Sequence, residues 1–198
     1  MLAVAGPQCD DPGMSAPLIV PTLEAGPFRL RPFMLADIAL VQEASGDPYI
    51  PLITTVPADA SEEAAVRLIE RQWMRAEQGT GYSFALDDPV TGRGVGQTGL
   101  WLKDVSHGRA SVGYWIVKSA RGRQAAALAV QAVTRWAHQE LQIPRLELYI
   151  EPWNAASIRT AEKAGYQREG LLRSWQEVGG ERKDMYMYAR LAADPLPR

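Results

Sequence analysis

A single α+β domain is what this sequence predicts, and three features predict it. Between residues 82 and 118, three consecutive stretches alternate apolar and polar residues across short, turn-rich connections, as an antiparallel meander does. Directly behind them, residues 123–140 run without Gly or Pro and carry a wide apolar face, which reads as a helix. A strand, a short helix and a hairpin follow, so helices and strands interleave around one core. At 198 residues the chain is long enough for one sizeable core and too short for two comfortable domains.

Each element has its own signal. FRLRPF (residues 28–33) alternates apolar and basic side chains, as a half-buried strand would. In MLADIALVQEAS, Leu35, Ile38 and Val41 recur at helical spacing, and the proline-containing loop GDPYIPLITTVPAD follows. Asp59, with Glu62 three residues on, predicts a capping box for a helix over 61–78, with Ala65, Leu68, Ile69 and Trp73 on one face. YSFALD (82–87), VGQTGLWLKD (95–104) and RASVGYWIVK (109–118) are the meander strands, with DDPVTGRG and VSHG as turns. The helix over 123–140 presents Ala126, Val130, Val133, Ala137 and Leu141. RLELYI (145–150) alternates as a strand, and NAASIRTAEKAG is a short helix stopped at Gly165. Strands over 166–175 and 183–189 flank the VGGER turn. The predicted order is β-α-α-β-β-β-α-β-α-β-β. Residues 23–192 form the domain, 1–22 a flexible N-terminal tail and 193–198 a C-terminal tail, and Met14 offers an alternative translation start.

Composition excludes several classes. Lys and Arg total 21 against 23 Asp and Glu, a net charge of -2, which argues against a nucleic-acid binder that neutralises many phosphates. Cys9 is the only cysteine, and with only His107 and His138 beside it neither a disulfide framework nor a Cys/His metal site is expected. The cytoplasm is the expected compartment. No apolar run approaches the ~18 residues of a membrane span. The first twenty residues lack a basic region and break their apolar stretch with Gly, Pro and Asp, so no signal peptide is expected.

Two glycine-containing motifs compete for a phosphate. Gly94-x-Gly96-x-x-Gly99 matches the dinucleotide fingerprint by letter, but its glycines lie in a turn and the strand after it. That fingerprint needs a helix N-terminus to hold the pyrophosphate, so a closely packed hairpin is the expectation there. RGRQAAA (121–127) has the right context, because it follows a strand and opens a helix. First-turn amides lack intrahelical partners and the helix dipole is positive at that end, so an anion fits. Gly122 allows close backbone approach, and Arg121 and Arg123 add positive charge. A solvated basic turn that merely caps a helix is the other reading of these few residues.

With FRLRPF, GYWIVKSARGRQAAALAV, EPWNAASIRTAEKAGYQREG and DMYMYAR in this order and spacing, the chain resembles the GNAT superfamily of acyl-CoA-dependent N-acyltransferases, in particular the RimJ/RimL-like branch. The resemblance covers roughly residues 28–191. It implies a mixed, mostly antiparallel sheet whose central strands splay apart, flanked by helices, with acetyl-CoA as co-substrate. The pantetheine arm would pair with free backbone groups near Ile116 and Val117, and the pyrophosphate would sit on Arg121, Gly122, Arg123, Gln124, Ala125 and Ala126. Asn154 would contact the arm from the opposite side. The family pattern, Arg/Gln-x-x-Gly-x-Gly/Ala, is met here by Arg121-x-x-Gln124-x-Ala126. If Gln124 keeps helical angles its N–H can still donate to phosphate; if it needs a positive φ the site is compromised.

The implied reaction is direct attack of an amine on a thioester. It requires deprotonation of the ammonium, stabilisation of an oxyanion and protonation of a thiolate. Many relatives use a Tyr seven positions after the Asn for the last task; that position is Ala161. Ser157, three after Asn154, matches the serine of RimL-like enzymes and is assigned as the thiolate partner. The alternative is that Asn154 caps its helix while Ser157 bonds the helix backbone. No base is evident: Ser111, Gln176 and Glu177 occupy the neighbouring family positions, and a water chain would also serve. Tyr186, Tyr188 and Trp115 read as core or cleft wall.

The acceptor implied is a primary amine, either a peptide N-terminus or a small molecule. Residues 47–57 and 179–183 would select it. Asp47 is the only acid in that first loop, a thin basis for a polycation, so a peptide N-terminus or another amine is favoured. Many relatives dimerise, so a homodimer is compatible with the resemblance. A competing expectation, drawn from Gln124, Ser111 and Ala161, is a GNAT fold without turnover that binds CoA or a protein partner.

Overall fold

The computed structural model describes residues 17–195. Its strands are β1 (Leu23–Ala25), β2 (Phe28–Arg31), β3 (Gly81–Asp88), β4 (Arg93–Trp101), β5 (Arg109–Ile116), β6 (Arg145–Ile150), β7 (Gln167–Val178) and β8 (Glu181–Leu191). The helices are α1 (Ile38–Ser45), α2 (Ile50–Ile53), α3 (Glu62–Glu77), α4 (Ala125–Gln139) and α5 (Ala155–Lys163). All eight strands form one sheet in the order β1-β2-β3-β4-β5-β6-β8-β7. Every pairing is antiparallel except β5 with β6.

That one parallel pairing shapes the molecule. β5 and β6 are in register only where Arg109–Ser111 face Arg145–Glu147. Beyond it β5 stays paired to β4 as far as Ile116, while β6 stays paired to β8 as far as Ile150. Each strand therefore follows its outer neighbour, and the sheet opens into a fork. The buried carboxylate of Glu147 pins the apex: it accepts from Arg145 Nε and the Tyr149 hydroxyl, both at 2.7 Å, and Arg109 lies 3.8 Å away. Burial and this bond to Glu147 push the Tyr149 hydroxyl up to about 12.

Alanine lets α4 lie close on the sheet. Ala125, Ala129, Val130, Ala132, Val133 and Ala137 are buried in one cluster with Phe28, Leu30, Phe84, Leu100 and Leu146. Ala126 and Leu141, expected on the same face, are only partly buried at its margin. Among the described residues no helix is long and apolar enough to cross a membrane.

Several local expectations change. β1 and α2 carry no periodic signal long enough to read from sequence. Gly26, at φ 66°, turns the chain so that Ala25 pairs with Phe28, and β1 closes the sheet edge. Ser61, not Asp59, is the N-cap of α3: its Oγ accepts from Ala64 N, while Asp59 holds Ser61 itself. Trp73 leaves the buried face of α3, which Gln72 and Ala76 complete instead; Trp73 Nε1 donates to the Phe33 carbonyl. The basic residues of FRLR do not point to water. Arg31 is buried with Asp37 and Asp87, and Arg29 shares Asp87.

Within the expected N-terminal tail, residues 17–22 lie against the domain. Leu18 N donates to the Ala76 carbonyl, and Leu18 and Val20 pack on the core. The C-terminal segment is likewise tied, with Arg190 donating to the Pro195 carbonyl. Cys9 and the alternative start at Met14 lie outside the described residues.

Candidate functional site

The fork leaves backbone groups without strand partners. Val117 N donates to the Val95 carbonyl, continuing the β4–β5 ladder, so alternate residues of β5 turn their polar groups the other way. Tyr114 and Ile116 thereby face the gap. Val117 does not offer the free groups expected of it: its carbonyl accepts from Ala120 N as well. The groups that face the gap belong to Tyr114 and Ile116, the Ile116 carbonyl accepting from Arg121 Nε.

Two cavities of about 650 and 670 Å³ meet at the fork. Tyr49, Ile53, Tyr114, Trp115, Asn154 and Ser157 line both. The larger opens onto the start of α4, where Arg121, Gly122, Gln124, Ala125, Ala126 and Ala127 form its wall. No side chain caps α4. The first-turn amides of Ala125–Ala127 thus have no intrahelical partners, and they line a cavity. This donor set suits a diphosphate.

Gln124 is the N-cap and sits at φ 60°, ψ 11°, in the left-handed region. The unfavourable branch of the sequence expectation is therefore the one the fold adopts. Glycine reaches this conformation freely, whereas for other residues it costs about 1–2 kcal/mol. The glutamine side chain also occupies space at the cavity wall. Gln124→Gly is expected to raise Tm by about 1–3 °C, strain relief being partly offset by chain entropy. It should also tighten the binding of a diphosphate-bearing ligand at this turn severalfold. Thermal melts and calorimetry read both effects, and a weaker complex would show that the glutamine is itself a ligand.

The two arginines of the loop part company. Arg121 lines the cavity, donating from Nε to the Ile116 carbonyl at 3.1 Å and from Nη2 to Asp47 at 2.6 Å. Arg123 does not belong to the cleft, contrary to expectation. It turns to Asp88 at 2.7 Å and stacks over Phe28, because Gly122, at φ 84°, turns the chain between the two arginines. Asp47, in the loop expected to select the acceptor, accepts from Tyr49 N and Ile50 N, pairs with Arg121 and lines the cavity at the start of α4. Burial alone would push its carboxyl up, but those bonds hold it below the ordinary range.

Asn154 caps α5, its Oδ1 accepting from Ser157 N at 3.1 Å, and it lines both cavities. The Ser157 hydroxyl makes no bond to the helix backbone, unlike Thr160, whose hydroxyl donates to the Ala156 carbonyl. Ser157 Oγ is thus available to the fork. The Tyr114 hydroxyl lies beside it, donating to the Ser157 carbonyl at 3.4 Å. Burial raises Tyr114 above the ordinary phenol range, so it stays protonated. Ala161 is fully buried and offers nothing to the cleft.

The second cavity holds residues that the sequence did not single out. Glu151 is 4% exposed and accepts from the Tyr49 hydroxyl at 2.6 Å and Trp153 Nε1 at 2.8 Å, with no basic residue in ion-pair contact among those described. Burial and this bond hold the Tyr49 hydroxyl well above its usual range. Ser111, Gln176 and Glu177 line the same cavity, as do Arg75 and Trp101. Tyr186 and Tyr188 line neither; Tyr188 is core. Glu151 stands three residues before Asn154, but its proximity to Tyr49, 102 positions away, has no local signal.

The glycines of the false fingerprint serve packing. A Cβ on Gly96 would meet the Trp115 carbonyl at 2.3 Å, and one on Gly99 the Trp101 ring at 2.4 Å. The Trp101 ring lies over Gly99 and Gly113 and forms part of the second cavity.

A forked, mostly antiparallel sheet with an uncapped helix at the mouth of the fork is the architecture of GNAT-type acyltransferases. A family model described as an acetyltransferase (GNAT) domain matches residues 28–167, and the chain belongs to that family. It is 26% identical over 170 residues to the uncharacterized N-acetyltransferase p20 of Bacillus licheniformis, covering 86% of this chain and 96% of that one. Mycobacterium smegmatis RimJ, solved in complex with CoA-disulfide, superposes with a TM-score of 0.74 at 24% identity, covering 87% of each chain. The microcin C7 self-immunity acetyltransferase MccE, solved with acetyl-CoA and AMP, gives a TM-score of 0.75 at 17% identity, covering 91% of this chain and 99% of that one.

Proposed function

We propose that this protein is an acetyl-CoA-dependent N-acetyltransferase acting on a primary amine, a peptide N-terminus or a small molecule. The observation that carries the reading is the uncapped N-terminus of α4 opening into the same cleft as the unpaired edge of β5. Ala125–Ala127 amides and Arg121 would hold the diphosphate, and Ile116 and Tyr114 the pantetheine arm, with Asn154 opposite. When bound, acetyl-CoA supplies a thioester carbonyl for direct attack by the amine.

The protein's own groups divide the proton chemistry. Ser157, next to the protonated Tyr114 hydroxyl, donates to the leaving sulfur. Glu151, held by Tyr49 and Trp153 on the other side of the fork, attracts the ammonium and accepts its proton. Isothermal calorimetry with acetyl-CoA, followed by a thiol-release assay over an amine and peptide panel, tests the reading. Saturable binding and acceptor-dependent thiol release are expected. No binding would overturn it. Binding without release would favour a non-catalytic CoA-binding fold, to which the left-handed Gln124 lends support.

A further inference from the structure

The second cavity has opposite charges on its walls that do not pair with each other. Arg75, on α3, stacks over the Trp101 ring at 4.3 Å and reaches only Thr55 Oγ1, at 3.5 Å. No carboxylate is in ion-pair contact with it among the described residues; the ion pairs formed lie elsewhere. Arg71, one turn earlier, adds a like charge, and its Nε is buried without a partner. Burial and that neighbour lower the Arg75 pKa, the signature of a cation lacking its anion. Across the same cavity lies the buried carboxylate of Glu151, with no cation in ion-pair contact among the described residues and Lys183 near enough to feel its charge. Glu177 is the only other acid on the wall, at the exposed hairpin.

We infer that the acceptor is an amine that also carries an anionic group, carboxylate or phosphate, with its ammonium at Glu151 and its anion at Arg75. The inference rests on the acetyltransferase reading for its chemistry, but not for its binding geometry. An anion at Arg75 would gain charge-assisted hydrogen bonds that the protein leaves unmade, and the Thr55 hydroxyl stands beside it. Trp101, Trp115 and Tyr149 supply apolar walls between the two poles. A polycation would place positive charge against Arg75 and is disfavoured by the same arrangement.

Matched pairs test this: γ-aminobutyrate against butylamine, phenylalanine against phenethylamine, and O-phosphoethanolamine against ethanolamine. Each is measured by direct calorimetry on the full chain and by thiol release with acetyl-CoA. At least one anionic member is expected to exceed its neutral partner roughly tenfold or more in affinity and in kcat/KM. The carboxylate and phosphate pairs say which anion is taken. Arg75→Met should collapse that ratio, and Arg75→Lys should keep part of it, with thermal melts confirming that both variants fold. Neutral amines preferred throughout, or a ratio unchanged in Arg75→Met, would overturn the inference. If acetyl-CoA binds but the anionic preference is absent, this inference fails and the acetyltransferase reading stands. If Arg75-dependent binding of an anionic amine occurs without acetyl-CoA binding, the reverse holds.

Discussion

Ser157→Ala is expected to lower kcat at least tenfold while leaving acetyl-CoA affinity nearly unchanged. A positioned proton donor contributes roughly 10²–10⁴-fold, and a neighbouring hydroxyl or water would recover part of that. The expectation rests on two facts of placement. Ser157 lines both cavities where they meet, and its hydroxyl is not spent on the helix backbone. Its backbone N–H, which Asn154 caps, survives the substitution, so α5 keeps its start. Steady-state kinetics beside calorimetry separates the effects. Unchanged turnover would dismiss Ser157 as the donor, and a loss in Tyr114→Phe alone would move the role to the adjacent phenol.

Arg31→Met is expected to destabilise the fold by about 3–5 kcal/mol, because two carboxylates would stay buried without their main partner. In a protein of this length that is a fall of roughly 6–20 °C in Tm. Arg31 donates to both oxygens of Asp37 at 2.8 Å and to Asp87 at 3.0 Å, and all three residues are at most 8% exposed. Asp37 also accepts from Met34 N, so the same cluster fixes the chain where β2 leads towards α1. Burial pushes the Asp87 carboxyl up, but the bonds from Arg29 and Arg31 outweigh it and hold the group below its ordinary value. Folded Asp87 therefore binds its proton less readily than unfolded Asp87 does. Its contribution is complete above the ordinary carboxylate pKa of about 3.9 and is lost as pH falls through the lower folded value. Urea unfolding between neutral and acid pH reads both effects. The variant should lose stability at neutral pH and lose less of what remains on acidification. A wild-type-like Tm would show that the cluster contributes no net stability.

The elements that repeat a period were legible from the chain itself. The meander, α3, α4 and β6 are found where apolar spacing put them, within a few residues at the ends. β1, three residues long, and α2, four residues long, are too short to show a period, and each exists because a neighbouring element covers it. Burial of Arg31 was not legible either. The alternation in FRLR is real, but whether its polar side meets water or Asp37 and Asp87 depends on residues as far as 56 positions away.

The cleft divides along the same line. The turn at Gly122–Ala126, proposed to hold the diphosphate, and the Asn154 cap are local arrangements, so a few consecutive residues announce them. Glu151, Tyr49, Tyr114 and Arg75 carry no local mark, and Arg123 carries a misleading one.

By itself the sequence determined the fold class and the loop that opens α4, because periodicity, turn chemistry and orphaned helix amides are properties of neighbouring residues; the family came from the resemblance of its motifs in order. Only the tertiary structure decided that Gln124 takes a left-handed conformation, that Arg121 enters the cleft while Arg123 leaves it, and that Glu151 and Arg75 face one cavity from separate elements. Those outcomes depend on where β5 parts from β6, and strands diverge according to which outer neighbour each one pairs with.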